Sequence, residues 1–229
     1  MKASAIIVAA GSGTRLGLKI PKAFVRVGAE TILAFTLRTL GAVGAIEEAV
    51  IAVPAGMEQA ARAEVGSAAV EIPVKVIAGG IERQDSVRIA LAFTSAEAEL
   101  VVVHDAARPF ATAAMFETCL GSAARAGAAI VAMPLSDTLK RVEGRTIAAT
   151  VGRAGLWQAQ TPQCFRREVL IEAHRQALRD HITATDDAYL AERLGVMAEV
   201  VEGSPLNLKI TTPDDLRIAG AIAASLFPR

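Results

Sequence analysis

The sequence is poor in cysteine, which excludes several classes of protein. Its 229 residues include two cysteines, Cys119 and Cys164. Two cysteines without C-x-x-C spacing provide neither a zinc knuckle nor the disulfide framework of a small secreted domain. We therefore expect both side chains to be free thiols in a reducing compartment.

The chain also lacks an excess of charge and a long hydrophobic run. Its 24 Lys and Arg residues balance 24 Asp and Glu residues, so no overall field attracts nucleic acid or an anionic membrane. The apolar runs are shorter than the roughly 18 residues that a membrane span requires. The start M-K-A-S-A-I-I-V-A-A is not typical of a secretory signal. We expect a cytoplasmic protein that binds neither nucleic acid nor membrane, and any binding of phosphate must be local.

What the chain does contain is a regular alternation of apolar runs and helical patterns. Hydrophobic residues make up 52% of the sequence, which at this length fills one α/β core. The strand-like runs are residues 5–10, 49–53, 74–78, 100–104 and 129–133. Helical patterns cover residues 32–40, 57–65, 85–93 and 115–126. The alternation predicts one domain over residues 1–229, with a mostly parallel sheet between two layers of helices.

A glycine-rich turn follows the first strand-like run, in A-I-I-V-A-A-G-S-G-T-R-L-G-L-K-I-P-K, residues 5–22. Leu16 stands where a dinucleotide fingerprint needs its third glycine, and no lysine is followed by Ser or Thr as in a P-loop. The backbone at Gly11 and Gly13 can still approach an anion closely, with positive charge nearby. The basic residues are Arg15, Lys19 and Lys22. From this stretch alone, an anion site and a simple strand-to-loop connection remain equally open.

Two later strand-like runs also end in polar residues. In V-V-V-H-D-A-A-R-P, Asp105 and Arg108 follow a buried run; Asp105 is either a turn former or a ligand for Mg²⁺. We interpret His104 as a structural residue rather than a base. The segment G-G-I-E-R-Q-D-S-V has two interpretations. Asp85 or Ser86 is an ordinary N-cap that begins a helix, or the glycine backbone and the Ser86 hydroxyl recognise a base or ribose.

The last third of the chain contains two further features. Residues 134–165 mix charges with β-branched residues around Glu143-Gly144, which predicts a polar hairpin that must lie against another surface, such as a second subunit. Farther on, N-L-K-I-T-T-P-D-D-L predicts a short strand carrying Lys209, followed by a helix with Thr212 as N-cap and Pro213 at its first position.

Seven blocks in order, over nearly the whole chain, resemble the 2-C-methyl-D-erythritol 4-phosphate cytidylyltransferase family. They are A-A-G-S-G-T-R-L with P-K, G-G-x-E-R-x-D-S-V, V-H-D-A-A-R-P, D-T-L-K, G-L-W-Q-A-Q-T-P-Q, T-D-D-A and N-L-K-I-T-T-P-D-D-L. The resemblance implies a Mg²⁺-dependent, cytoplasmic homodimer with a Rossmann-like nucleotidyltransferase fold. Its dimerisation arm would be inserted at about residues 135–160. Such an enzyme joins CTP and methylerythritol phosphate, releasing pyrophosphate, in non-mevalonate isoprenoid synthesis.

The resemblance also implies a role for each matching residue. The residues implied in catalysis are Arg15, Lys22, Asp105, Arg153 and Lys209. The residues implied in CTP binding are Ala10, Gly11, Ser12, Gly13, Gly80, Asp85 and Ser86. The residues implied in acceptor binding are Arg108, Thr138, Arg153, Thr161, Thr185 and Lys209, with Thr138 and Arg153 arriving from the partner's arm. Asp105 is the implied Mg²⁺ ligand.

Two alternatives remain open beside this interpretation. A ribitol 5-phosphate cytidylyltransferase shares most of the blocks and differs in the acceptor alcohol. A regulatory module that binds CTP without turning it over would be expected to lack the metal carboxylate or the lysine beside the leaving group, and both Asp105 and Lys22 are present. The sequence departs from the family pattern at Ala23, Ile81 and Gly152.

Overall fold

The structure is a computed structural model that describes residues 1–11, 13–18, 20–68 and 70–226, without the side chain of Arg15. Within these residues the chain forms strands, α-helices and two 3-10 turns, Thr14–Leu16 and Lys22–Phe24. The strands are β1 (Ala3–Val8), β2 (Arg26–Val27), β3 (Glu30–Thr31), β4 (Ile46–Val53), β5 (Val74–Ala78), β6 (Leu100–Asp105), β7 (Ala128–Pro134), β8 (Leu139–Glu143), β9 (Thr146–Val151), β10 (Trp157–Arg166) and β11 (Glu199–Glu202). The helices are α1 (Ile32–Gly41), α2 (Glu58–Ser67), α3 (Arg83–Leu91), α4 (Ala113–Ala126), α5 (Arg167–Arg179), α6 (Asp187–Arg193) and α7 (Pro213–Leu226).

The central sheet has the strand order β11, β7, β10, β6, β1, β4, β5. Strand β1 runs parallel to β4 and β6, β4 runs parallel to β5, and β11 runs parallel to β7. Strand β10 lies between β6 and β7 and is antiparallel to both. The expectation of a mostly parallel sheet is confirmed.

Helices cover both faces of this sheet because successive side chains of its buried strands point in opposite directions. On one face Ile7 belongs to a core with Phe116 of α4, to which α1 and α2 also contribute. On the other face Ile6 belongs to a core with Val87 of α3 and Leu170 of α5, completed by α6. The result is the three-layer α/β architecture that the alternating pattern predicts.

The hairpin of β8 and β9 forms a two-stranded sheet separate from the central one. Its strands pair antiparallel across the predicted Glu143-Gly144 turn, where Gly144 has a φ of 61°. A left-handed backbone of this kind favours glycine. Val142 and Ile147 are each more than half exposed, so the hairpin buries little within its own chain.

One strand prediction is wrong. Residues 207–211 form no strand and belong to no sheet in the described chain. Their link to the strand region is a single backbone bond in which the Ile210 N–H donates to the Ala107 carbonyl, at 2.9 Å. One such bond does not make a ladder. The following helix is confirmed, because the Thr212 hydroxyl accepts from the Asp215 N–H and Pro213 begins α7.

The remaining local predictions agree closely with the structure. Helices α1, α2 and α4 begin and end within two residues of their predicted positions. Helix α3 begins at Arg83, with Glu82 as N-cap and Asp85 at the third position, so neither Asp85 nor Ser86 is the cap. Both cysteines are free and buried, as expected. Within the described ranges, no helix combines the length and apolarity of a membrane span.

Candidate functional site

The polar turns predicted from the sequence meet at one edge of the central sheet. Strands β1 and β6 are parallel neighbours, and Val8 of β1 lies opposite Asp105, the last residue of β6. Strand β5 runs in the same direction and ends just before Gly79 and Gly80. The carboxyl ends of parallel strands are where open α/β sheets bind ligands.

The first cavity at this edge, which we call the glycine-loop cavity, has a volume of about 240 Å³. Its lining includes Ala10, Gly11, Lys22, Gly80 and Ser86. Gly13 has a φ of 70°, and a Cβ there would lie 3.1 Å from the Lys22 backbone nitrogen. Glycine therefore allows the turn to pack against the segment that carries Lys22. The Lys22 Nζ donates to the Ile210 carbonyl at 2.9 Å.

The loop after β5 is held by Ser86. The Ser86 hydroxyl accepts from the Gly80 N–H at 3.1 Å and donates to the Glu82 carbonyl at 3.2 Å. A Cβ at Gly80 would overlap with Asp85, so glycine is required for this close approach. Ser86 is fully buried, and its hydroxyl fixes the shape of the cavity on this side.

A second cavity, the Thr161 cavity, has a volume of about 210 Å³. Arg108, Thr161 and Thr185 contribute to its lining. The Thr161 hydroxyl accepts from the Asp105 N–H at 3.1 Å, and Arg108 donates to the carbonyls of Asn207 and Ala159 at 2.8 and 3.2 Å. These bonds fix the backbone at the end of β6 and the guanidinium of Arg108.

Three charged residues line both cavities, and we call them the shared wall: Arg83, Asp105 and Lys209. The Arg83 Nε donates to Asp105 Oδ1 at 2.9 Å, and the Lys209 Nζ donates to Asp105 Oδ2 at 2.6 Å. Burial opposes ionisation of Asp105, but the two cations outweigh it and hold the pKa of this carboxyl well below its ordinary range. Asp105 is therefore a carboxylate at neutral pH, with each oxygen held by one cation.

Arg83 also contacts a second carboxylate behind the wall. Its Nη1 donates to Asp187 Oδ2 at 2.6 Å, and the Nε2 of His174 lies 2.9 Å from Asp187 Oδ1. A carboxylate oxygen only accepts, so His174 carries a proton on Nε2 and donates it to this bond. Burial opposes ionisation of Asp187, yet Arg83 and His174 lower the pKa of its carboxyl. The same two carboxylates outweigh burial and raise the pKa of Arg83.

His104 is a structural residue, as its position in the sequence indicates. Its Nδ1 lies 3.0 Å from the Thr161 hydroxyl and its Nε2 lies 3.2 Å from the Arg108 carbonyl. Burial lowers the pKa of His104 to about 4. The imidazole is neutral at physiological pH and connects Thr161 with the turn after β6.

Two buried guanidinium nitrogens at these cavities form no hydrogen bond with the described residues. They are Nη2 of Arg83 and Nε of Arg108. Arg83 lines both cavities and Arg108 lines the second. Together with Lys22 and Lys209, these arginines give the site the positive charge that suits anionic, phosphorylated ligands near Asp105.

The structure brings most of the predicted site residues together at these cavities. Ala10, Gly11, Lys22, Gly80 and Ser86 line the first, Arg108, Thr161 and Thr185 line the second, and Asp105 and Lys209 line both. Gly13 and Asp85 lie behind the lining: Gly13 packs against Lys22, and Asp85 belongs to the cap of α3. Thr138 and Arg153 are exposed residues beside β8 and β9 and line neither cavity. Ser12, Lys19 and the Arg15 side chain lie outside the described residues.

Sequence reasoning missed Arg83, Asp187 and His174. Arg83 and Asp187 lie in the G-G-I-E-R-Q-D-S-V and T-D-D-A blocks, whereas His174 lies on α5 outside any block. Their contacts join residues that are 22, 104 and 13 positions apart. No local spacing predicts such pairs.

Comparisons with known proteins agree with this geometry. The model of the family described as IspD, 2-C-methyl-D-erythritol 4-phosphate cytidylyltransferase, matches residues 3–225. A protein of that name from Deinococcus radiodurans is 46% identical over 221 residues, covering 96% of this chain and 89% of the relative. One from Symbiobacterium thermophilum is 44% identical over 219 residues, covering 94% and 90%. A crystal structure of the Thermus thermophilus enzyme of that name is 37% identical, with a TM-score of 0.83 and coverage of 97% and 99%.

Proposed function

Because the chain belongs to the 2-C-methyl-D-erythritol 4-phosphate cytidylyltransferase family, we propose that it transfers the cytidylyl group of CTP to 2-C-methyl-D-erythritol 4-phosphate. The products would be 4-diphosphocytidyl-2-C-methyl-D-erythritol and pyrophosphate, in non-mevalonate isoprenoid synthesis. The observation that carries this proposal is the shared wall of Arg83, Asp105 and Lys209 between two adjoining cavities. A transfer reaction needs two substrates held on either side of one reacting phosphate, and this geometry suits that need.

CTP would occupy the glycine-loop cavity. The space beside Gly11 is open, since a Cβ built there would meet no described atom within 4 Å, so a phosphate group could approach the backbone of this turn closely. Lys22 lines this cavity beside the glycine turn, and with Arg15 it would neutralise charge that grows on the leaving pyrophosphate. The segment of Gly80, Asp85 and Ser86 would form the cytidine end of the site.

The acceptor phosphate would occupy the Thr161 cavity, where Lys209 and Arg108 supply positive charge and Thr161 and Thr185 supply hydroxyl groups. Thr138 and Arg153 would complete this site from the arm of a second subunit. The exposed hairpin supports that part of the proposal, because Val142 and Ile147 expose 52% and 61% of their surface in the single chain. The protein would therefore work as a homodimer. We also propose that it works in the cytoplasm, as the family resemblance implies.

The chemistry needs positioning and charge stabilisation more than proton transfer. A phosphate monoester has a second pKa of about 6, so an acceptor oxygen is already ionised at neutral pH and needs no general base. This agrees with the described wall, where Asp105 is held by two cations and His104 is neutral and buried. Cations that hold both polyanions in line with the α-phosphate of CTP would supply catalysis.

Magnesium fits this site as a partner of the nucleotide. Among the described residues, no group of three His, Cys, Asp or Glu side chains could hold a metal alone. Mg²⁺ is commonly held by one or two carboxylates together with substrate phosphates, and Asp105 is the carboxylate at both cavities. Asp105 would hold the ion by releasing one of its cations. When bound, Mg²⁺ would neutralise phosphate charge and stabilise the reacting geometry.

The test is pyrophosphate release by the purified protein with CTP and Mg²⁺. Parallel reactions contain methylerythritol 4-phosphate, ribitol 5-phosphate or no acceptor. We expect rapid release with methylerythritol 4-phosphate alone. Release with ribitol 5-phosphate alone would move the protein to the alternative cytidylyltransferase. CTP binding in a direct titration, without release in any reaction, would instead support a regulatory module and contradict the proposal.

A further inference from the structure

A buried pair of residues lies behind the shared wall without reaching either cavity. Asp187 is the first residue of α6 and His174 lies on α5, and they expose 1% and 2% of their surface. Neither is part of the described lining of the two cavities. Among the described residues, their link to the wall is the bond between the Asp187 carboxylate and the guanidinium of Arg83. We therefore expect any influence on the reaction to pass through Arg83.

The position of Asp187 is fixed on three sides. One carboxylate oxygen accepts from Arg83, the other accepts from His174, and the backbone N–H of Asp187 donates to Gln163 Oε1 at 3.1 Å. Gln163 belongs to β10, which lies beside β6 in the central sheet. The pair is thus anchored to two helices and to the strand next to Asp105.

Arg83 divides its guanidinium between two carboxylates. Its Nε contacts Asp105 and its Nη1 contacts Asp187, so Asp105 receives one bond from Arg83 rather than two. A guanidinium facing a single carboxylate commonly forms two parallel hydrogen bonds, which are stronger and more restrictive. Because the Arg83 Nη1 donates to Asp187, it is not available for a second bond to Asp105.

From this geometry we propose that Asp187 and His174 are positioning residues of the transfer reaction. They hold Arg83 so that its guanidinium is shared between Asp187 and Asp105. Asp105 then receives a single bond from Arg83 and can give up its bond with Lys209 when the substrates bind. Without them Arg83 closes on Asp105 with two hydrogen bonds. The expected change in kcat rests on the proposed function. The expected movement of Arg83 rests only on the geometry of the single chain.

The principal test is the Asp187→Asn variant, which keeps the shape of the side chain and removes its charge. We expect kcat for pyrophosphate release to fall by about 10-fold to 100-fold, because a small misplacement of a site residue costs that much. The KM for CTP should change by less than about threefold, because Asp187 does not touch the nucleotide cavity. A crystal structure of the variant should show the Arg83 guanidinium turned from residue 187 onto Asp105.

The matched control is Glu48→Gln, at the opposite end of the sheet. Glu48 is also a mostly buried, hydrogen-bonded carboxylate, which accepts from Ser4 at 2.7 Å and from Lys75 at 3.1 Å. This variant should lose stability in thermal unfolding without losing kcat. If Asp187→Asn folds poorly, His174→Leu supplies the same test, since leucine cannot donate to Asp187; its fall in kcat should be smaller but in the same direction. His174→Gln, whose amide can still donate to Asp187, is its control and should stay closer to wild type.

The outcomes separate the two proposals. If the wild-type protein releases no pyrophosphate with any acceptor, the proposed function fails, while the crystal structure still decides whether Asp187 positions Arg83. If the wild-type protein is active and the variant keeps full kcat, or if Arg83 stays in place in the variant structure, the positioning role is wrong. A KM for CTP that rises as much as kcat falls would also overturn it.

Discussion

The shared wall and the β8–β9 hairpin both carry residues implied in phosphate binding, but the two regions hold those residues in opposite ways. At the wall, Arg83 and Lys209 each donate to Asp105, at 2.9 and 2.6 Å. On the hairpin side, Thr138 and Arg153 are exposed, and their side chains form no hydrogen bond or ion pair with the described chain. The wall residues are held by bonds within the chain, whereas the exposed hairpin residues would be held only by a second subunit of the kind we propose.

The contrast indicates which side chains must lose conformational freedom when a substrate binds. Side chains that are already positioned lose little freedom when a substrate binds, whereas an exposed arginine must be ordered at that moment or by another subunit. The geometry of the wall is therefore already set within one chain. The hairpin would add acceptor binding only when it is placed against a partner.

We expect the largest effect from Lys22, which lines the glycine-loop cavity beside the shared wall. Lys22→Met keeps the aliphatic stem and removes the charge, so kcat for pyrophosphate release should fall by about 100-fold to 1,000-fold, as when one charge-stabilising group is lost. Thermal unfolding should remain close to that of the wild-type protein. Steady-state kinetics with CTP and methylerythritol 4-phosphate measure this effect.

The control for this variant is Lys75→Met, which removes a lysine that pairs with Glu48 at 3.1 Å, away from the two cavities. It should keep wild-type kinetics. Near-normal turnover by Lys22→Met would remove Lys22 from the catalytic role.

The hairpin should show a different kinetic signature. Arg153→Ala removes an exposed cation that would reach the acceptor phosphate of the other subunit. We expect the KM for methylerythritol 4-phosphate to rise by about 10-fold or more, as for the loss of a charged hydrogen bond, with little change in the KM for CTP. Initial rates over a range of each substrate separate the two constants. Arg145→Ala, at the tip of the hairpin, is the matched control and should behave as wild type.

The smallest expected effect concerns stability. The pKa of His104 is lowered from 6.5 to about 4 in the folded protein, so the unfolded chain binds the extra proton first as the pH falls. Stability from this residue is fully present above about pH 6.5 and declines toward about pH 4, by at most about 3 kcal/mol.

Urea unfolding of wild type and His104→Gln at pH 7 and pH 5 checks this effect. The wild-type protein should lose more stability between the two pH values than the variant does. An equal loss in both proteins would contradict it. His181→Asn, which changes an exposed histidine, should keep the wild-type slope.

The sequence predicts those elements that depend on neighbouring residues, and it does not predict those that depend on contacts between distant residues. Strands β4, β5, β6 and β7 could be predicted because each contains a run of apolar residues, interrupted in β5 only by the exposed Lys75; such runs are typical of strands in a parallel sheet. Strand β10 could not, because Gln158, Gln160, Gln163 and Pro162 interrupt its pattern. It is nevertheless central in the sheet, and two of its glutamines are satisfied by distant partners: Gln160 donates to the Ser204 carbonyl and Gln163 to Asp186.

The candidate site divides in the same way. Gly11 follows β1 and Asp105 ends β6, so their position at the carboxyl edge follows from the parallel sheet alone. Lys22 lies farther along the chain and is placed by its packing against Gly13 and its bond to the Ile210 carbonyl. The sequence predicts a strand at Lys209 that the described chain lacks, although the Lys209 side chain does bond to Asp105. Arg83, Asp187 and His174 became visible only when the chain was folded, since buried ion pairs between distant segments carry no sequence period.

The central claim is that the wall of one chain and the hairpin of another form a single site. Co-expression of Lys22→Met and Arg153→Ala chains with different tags, followed by purification through both tags, gives a heterodimer for this test. Activity is measured with methylerythritol 4-phosphate well below the KM of the Arg153→Ala variant, where that variant is impaired. A hairpin that crosses to the partner then restores one intact site, with about half of wild-type activity per two-fold dimer. Activity no higher than that of the separate variants, or the absence of a doubly tagged species, would contradict the account.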